Sequence, residues 1–186
     1  GYTNVSGSEV IAIGHQAGYT NTKSRHIFIG TNAGYYCDAL STASGISKGM
    51  ADANIFLGGY SGYHTTTGQE NTFIGDVSGY SNTTGSDNVF IGGHSGFSNT
   101  NGDDNVFIGQ DAGLENTTGD NNTFIGTEVG FNNTTGDNNT FIGQQSGFYN
   151  TTGYRNTFFG RRTGYQNSTG HHNTFLGDSS GVDNSN

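Results

Sequence analysis

The chain has 186 residues, of which 33 are Gly and none is Pro or Trp, with 30% hydrophobic residues and a net charge of −9. A globular domain of this length is normally close to half apolar, so the composition excludes a broad core and leaves a narrow stack or burial against other chains. The negative balance argues against a nucleic-acid partner, because phosphate binding needs a basic face; no run approaches the ~20 apolar residues of a membrane span; and the single Cys37 excludes an internal disulfide framework.

Taken in order, the chain opens on Gly1-Tyr2-Thr3-Asn4, which reads as the second half of a repeat. A first apolar segment follows at Val10-Ile11-Ala12-Ile13-Gly14, and a second ends sixteen residues later at Ile29-Gly30, with Lys23-Ser24 where later repeats have Thr-Gly. The step from His26 to Asn54 is twenty-eight, so an insertion of eleven residues lies within residues 36–53, YCDALSTASGISKGMADA. From there the frame is unbroken at seventeen residues, with repeats beginning at Asn54, Asn71, Asn88, Asn105, Asn122, Asn139, Asn156 and Asn173. The chain closes on Gly181-Val182-Asp183-Asn184, again within a repeat. Residues 1–186 therefore read as one repeat domain, a segment of a longer fibre whose targeting and anchoring parts lie elsewhere. Much Gly and Asn could also signal disorder, but disorder does not require Phe, Ile and Gly in fixed register.

Each column of the repeat has a physical meaning. Two glycine columns, of the type Gly126 and Gly130, and a third of the type Gly136 mark corners or close backbone approaches. Thr-Thr-Gly-Asp-Asn is turn chemistry, since Asn and Asp side chains bond neighbouring backbone. Between corners lie two short extended segments, residues 122–126 and 130–134, and no run between glycines is long enough to nucleate a helix. The fold class is all-β, a parallel β-solenoid or β-roll of 17-residue coils, because a short fixed period gives a quasi-one-dimensional stack. With ~4.8 Å per coil, the roughly ten coils make a rod about 50 Å long.

In the first segment the third position is Phe (Phe73, Phe90, Phe107, Phe124, Phe141, Phe158) and the fourth is apolar (Ile74, Ile91, Ile108, Ile125, Ile142, and Phe159 in one coil). Neighbouring strand residues point to opposite faces, so both faces of this strand are apolar although a coil has one inside. A strand buried on both faces needs a second layer, and the obvious one is another copy. The Phe and Ile columns are accordingly core or subunit-interface residues of a homo-oligomer, with a trimer expected. A further apolar column (Tyr63, Tyr80, Phe97, Leu114, Phe131, Phe148, Tyr165) is expected to fill the coil opposite Ile, and the Asn71 to Asn173 column to stack as an amide ladder.

Val10-Ile11-Ala12-Ile13-Gly14-His15-Gln16-Ala17 resembles the S-x-A-I-G-x-x-A repeat of trimeric autotransporter adhesin heads. The N-T-F-I-G-x-x-S-G-x-x-N-T-T-G form is similar to repeats of bacterial surface fibres and of tail fibres of phages and related injection machines. The resemblance spans the chain and implies a left-handed roll intertwined as a homotrimer, placed outside the cell, on a cell surface or in a virion or injection-machine fibre. The coil is longer than the adhesin coil, and Phe stands where Ala is usual.

Several residues invite chemistry. Asp103, Asp120 and Asp137 align in successive coils, with Asp87 and Asp104 beside them; like charges ~4.8 Å apart repel, and Ca²⁺ could relieve this, but they read more simply as solvated Asx-turn residues, and no metal or cofactor is otherwise implied. Tyr154, Arg155, Arg161, Arg162, Tyr165, His171 and His172 cluster near the C-terminal end, where they could hold an anionic glycan or receptor or be a plain solvated face. The insertion could present a contact surface or be a tolerated excursion, and Cys37 reads as a small packed residue. Glycan cleavage needs a carboxylate pair about 5–9.5 Å apart; Glu9, Glu70, Glu115 and Glu128 are scattered, so no enzyme is expected. The column Ile55, Thr72, Val89, Val106, Thr123, Thr140, Thr157, Thr174 is too mixed for a Thr rank that binds ice, which leaves a monomeric glycan- or ice-binding solenoid as the alternative to a fibre. Sequons at Asn82, Asn116 and Asn150 would be glycosylated in a eukaryotic secretory route, and more simply belong to the turn.

Overall fold

A computed structural model describes residues 9–21, 24–37 and 53–184. Ten strands form one parallel sheet in strict chain order: β1 (Ile11–Ile13), β2 (Ile27–Ile29), β3 (Ile55–Leu57), β4 (Thr72–Ile74), β5 (Val89–Ile91), β6 (Val106–Ile108), β7 (Thr123–Ile125), β8 (Thr140–Ile142), β9 (Thr157–Phe159) and β10 (Thr174–Leu176). Each strand pairs with the next residue for residue; in β7 and β8, Thr123 faces Thr140, Phe124 faces Phe141 and Ile125 faces Ile142. The protein is a parallel β-solenoid of ~17-residue coils, and the described residues contain no helix. The short coil between β1 and β2 and the long one between β2 and β3 keep the same register, Phe28 lying opposite both Ala12 and Phe56. Residues 38–52 of the insertion lie outside the described residues.

The strands are three residues long because glycine ends them. Gly126 takes φ +141, and a Cβ there would lie 2.8 Å from the Gly143 carbonyl carbon of the next coil. Only glycine allows both that dihedral and that approach. The second extended segment expected from sequence does not form a strand. Glu128 and Gly130, both at φ +55, alternate with right-handed residues and curl residues 127–132 into turns. Coil-to-coil hydrogen bonds persist there, from Gly130 N to Ser146 O (2.9 Å) and from Asn132 N to Phe148 O (3.0 Å).

The core is a single file of phenylalanines. Phe28, Phe56, Phe73, Phe90, Phe107, Phe124, Phe141 and Phe158 are 0% exposed. From Phe56 to Phe158 consecutive rings lie 4.6–5.0 Å apart with planes within 5–8°. Burying each ring contributes about 1.5–3 kcal/mol. Across the insertion the stack loosens, Phe28 and Phe56 being 5.5 Å apart and tilted by 34°. Gly130 exists to admit the ring, since a Cβ there would lie 2.5 Å from Phe124 Cε2. Beside the rings runs a buried column of small residues, Ala17, Ala33, Ser61, Ser78, Ser95, Ala112 and Ser146. The hydroxyls of Ser61, Ser78 and Ser95 donate to the carbonyls of Phe73, Phe90 and Phe107 at 3.0–3.1 Å.

Two buried asparagine columns close the coil. In the column that begins each repeat, the expected amide ladder forms at two steps, from Asn122 Nδ2 to Asn105 Oδ1 and from Asn156 Nδ2 to Asn139 Oδ1 (both 3.2 Å), and a backbone clamp joins every step. Asn122 Oδ1 accepts from Asn139 N (2.9 Å) and Asn122 Nδ2 donates to Gly136 O (2.8 Å), a pattern repeated from Asn54 to Asn156. The side-chain ladder is continuous in the other column, where Asn99, Asn116, Asn133 and Asn150 each donate to the Oδ1 of the preceding member at 2.8–2.9 Å. These bonds leave no room for glycan transfer to Asn82, Asn116 or Asn150, all 0% exposed.

Candidate assembly surface

With Phe124 inward, alternation turns Thr123 and Ile125 outward. The two apolar columns of the strand therefore part company: the Phe column is the chain's own core, and the Ile column lies on the surface. Ile13 is 59% exposed, Ile125 36%, Phe159 53% and Leu176 75%, while Ile74, Ile91, Ile108 and Ile142 are half-buried. Beside them runs a mixed column that includes Ile55, Thr72, Val89, Val106, Thr123, Thr140 and Thr157, and the two columns form a ribbon along all ten strands with no charged member, apolar in one column and part threonine in the other.

The column from Tyr63 to Tyr165 does not fill the coil opposite Ile, because the Phe rings and small residues already do. It stands outward and half-buried as an aromatic ladder. Tyr63 and Tyr80 stack at 5.3 Å, Tyr80 and Phe97 at 5.2 Å, Phe131 and Phe148 at 5.0 Å, and Phe148 and Tyr165 at 5.3 Å, with Leu114 between the two halves. Desolvation, then the neighbouring phenols, raises the Tyr35, Tyr63 and Tyr165 pKa values above 10.0. Sequence reading missed a denser group where the ladder meets the insertion: Tyr36 stacks on His64 (5.6 Å) and meets Tyr63 edge-on (5.3 Å), and desolvation lowers the His64 pKa. Its signal was two consecutive aromatic positions, Tyr35-Tyr36 and Tyr63-His64, in adjacent coils.

The basic residues near the C-terminal end fall into two groups at opposite ends of β9 rather than one. Before the strand, Tyr154 stacks on His171 (4.8 Å), His171 Nδ1 is 3.0 Å from His172 Nδ1, and Arg155 lies 3.5 Å from His172. After it, Arg161 holds Asp178 through two bonds (2.8 and 3.2 Å), and Arg162 sits 4.4 Å over the Tyr165 ring. The hydrogen bonds from Arg161 keep the Asp178 carboxyl below the usual carboxylate range. Arg161 is thus paired within the chain, whereas the buried Arg162 Nε has no hydrogen-bond partner among the described residues. The Asp column is likewise engaged: Asp103, Asp120 and Asp137 accept backbone N–H bonds from Ser86, Asp103 and Asp120 at 2.7–2.8 Å. This relieves their carboxylates without a cation, and among the described residues no three metal-ligating side chains are grouped. Cys37 is buried, with its sulfur 3.9 Å from Asn54 Nδ2.

Compared with protein-family models, with curated proteins and with solved structures, the chain matches none of them.

Proposed function

We propose that this chain is a non-catalytic structural segment of an extracellular fibre, joined to copies of itself as a homotrimer through the outward β-ribbon, and that it supports adhesion or recognition of a host receptor or surface glycan. The observation that carries this reading is the ribbon itself. An uncharged strip running the length of a repeat rod, with a continuous apolar column beside a mixed Ile, Val and Thr column, is larger than the scattered hydrophobics of an ordinary surface and marks an interaction face. A rigid rod holds a binding tip away from a surface, and several copies side by side raise avidity without new chemistry. The bacterial adhesin and tail-fibre repeats that the sequence resembles fit the same role.

The test is the mass in solution by sedimentation equilibrium, for the native chain and for Ile108→Asp/Ile125→Asp. The native chain sediments as three copies, and the double variant as one with unchanged far-UV circular dichroism, because its aspartates lie on the surface and not in the Phe core. A native monomer at micromolar concentration refutes the assembly and leaves the monomeric binding solenoid, which a glycan array on the same sample then examines.

A further inference from the structure

The ribbon needs something to cover it, and a second strip of the same molecule has matching dimensions. We propose that the aromatic ladder of one copy packs on the β-ribbon of the next, in parallel, so that every copy uses two different faces; this rests on the self-association proposed above and assigns its second surface. Both strips are uncharged and run along the rod with one step per coil. Each coil contributes an outward pair such as Thr123 and Ile125 to the ribbon and one ring such as Phe131 to the ladder. A partner that lacks this spacing could meet the ribbon at one or two coils, whereas a parallel copy meets it at every coil.

Area leads to the same assignment. Ten strands at ~4.8 Å and a width of about 10 Å give a ribbon footprint of about 450 Å². That is about half of the roughly 800 Å² per partner of a standard stable interface. A copy that buries its ribbon against one neighbour and its ladder against the other covers about 900 Å² over two contacts, so releasing it from a closed ring breaks both, whereas a ribbon-to-ribbon pair is held by one contact of about 450 Å² per partner. Symmetry also separates the options. Ribbon against ribbon is a self-complementary contact that stops at two copies, whereas ribbon against ladder is head-to-tail and forms a ring where the rotation between copies closes, three copies being the trimer proposed above. Three flat ribbons facing a common three-fold axis would meet at an angle and leave a wedge unfilled, which close packing disfavours.

The experiment is a two-variant cross-link. Ile125→Cys and Phe131→Cys, carried on chains with tags of different size, are expressed separately and together and treated with a short bismaleimide; native chain carrying Cys37 alone sets the background. Ile142→Cys with Phe148→Cys repeats the test one coil further along, and circular dichroism confirms that each variant folds. The expected result is a mixed-tag dimer on co-expression and loss of the cross-link in either variant alone. Self-linking of Ile125→Cys overturns the ladder assignment in favour of ribbon-to-ribbon contact while leaving self-association intact. Absence of any cross-link at trimer mass overturns the ladder assignment alone. Absence of any cross-link at monomer mass overturns both readings.

Discussion

Asn122 offers the sharpest test of how the coils are held. Its Oδ1 accepts the Asn139 N–H, and its Nδ2 donates to Gly136 O. In Asn122→Ala the Asn139 N–H is stranded in a buried position, at a cost of about 1–3 kcal/mol, and the lost amide–carbonyl bond adds about 1 kcal/mol. Gly136 O keeps its second donor, Asn133 Nδ2 at 3.0 Å, so no further penalty arises there. The sum is about 2–4 kcal/mol, against less than about 0.5 kcal/mol for the exposed control Thr135→Ala. Repeat rods can open locally, so the readout is amide hydrogen exchange of Asn139 alongside urea unfolding followed by circular dichroism. Asn122→Asp extends the test. It keeps the acceptor but points a carboxylate at Gly136 O, so its buried carboxyl titrates above the usual range. Its stability is therefore highest below the unfolded carboxyl pKa and falls as pH rises through the folded one. An Asn122→Ala cost below about 1 kcal/mol, or unchanged protection at Asn139, would refute the clamp.

Gly130→Ala forces a side chain into φ +55 and against the Phe124 ring; it is expected to cost about 2–4 kcal/mol in urea unfolding. Val77 is a β-branched residue held at φ +52, where Asn is better tolerated, so Val77→Asn should stabilise by about 1 kcal/mol and raise the thermal midpoint by about 2–4 °C. Phenolate absorbance should show Tyr35, Tyr63 and Tyr165 ionising above 10.0. Their folded pKa values are raised, so the stability they contribute is complete below pH 10 and lost as pH climbs through the folded values; a titration centred at 10.0 would contradict the packed ladder.

The periodicity carried most of the fold. Fixed glycines and the Asn-x-Phe-Ile-Gly frame place every regular strand, because one coil length repeats. Which apolar column faces inward was not legible, since Phe124 and Ile125 are both apolar and alternation gives opposite faces without naming the inner one. The distinguishing signal is constancy of size: from Phe28 onward the inner column stays Phe opposite a fixed glycine such as Gly130, whereas the outer one accepts Ile, Leu and Phe159. The second segment was misread because its curl depends on Glu128, and a non-glycine at positive φ leaves no mark in the sequence. That the carboxylates of the Asp column accept backbone N–H groups of the preceding coil was not legible either, because this pairing depends on the relative height of successive turns and not on residue type.

Because each coil bonds only to its two neighbours, the bonds between coils carry an axial load in series, and a pull on the rod is felt equally at every joint. When one joint yields, it releases a single coil of seventeen residues, about 60 Å of extended chain. A rod stretched along its regular part, from Asn54 onward, would thus lengthen in equal steps of one coil and absorb work at each one.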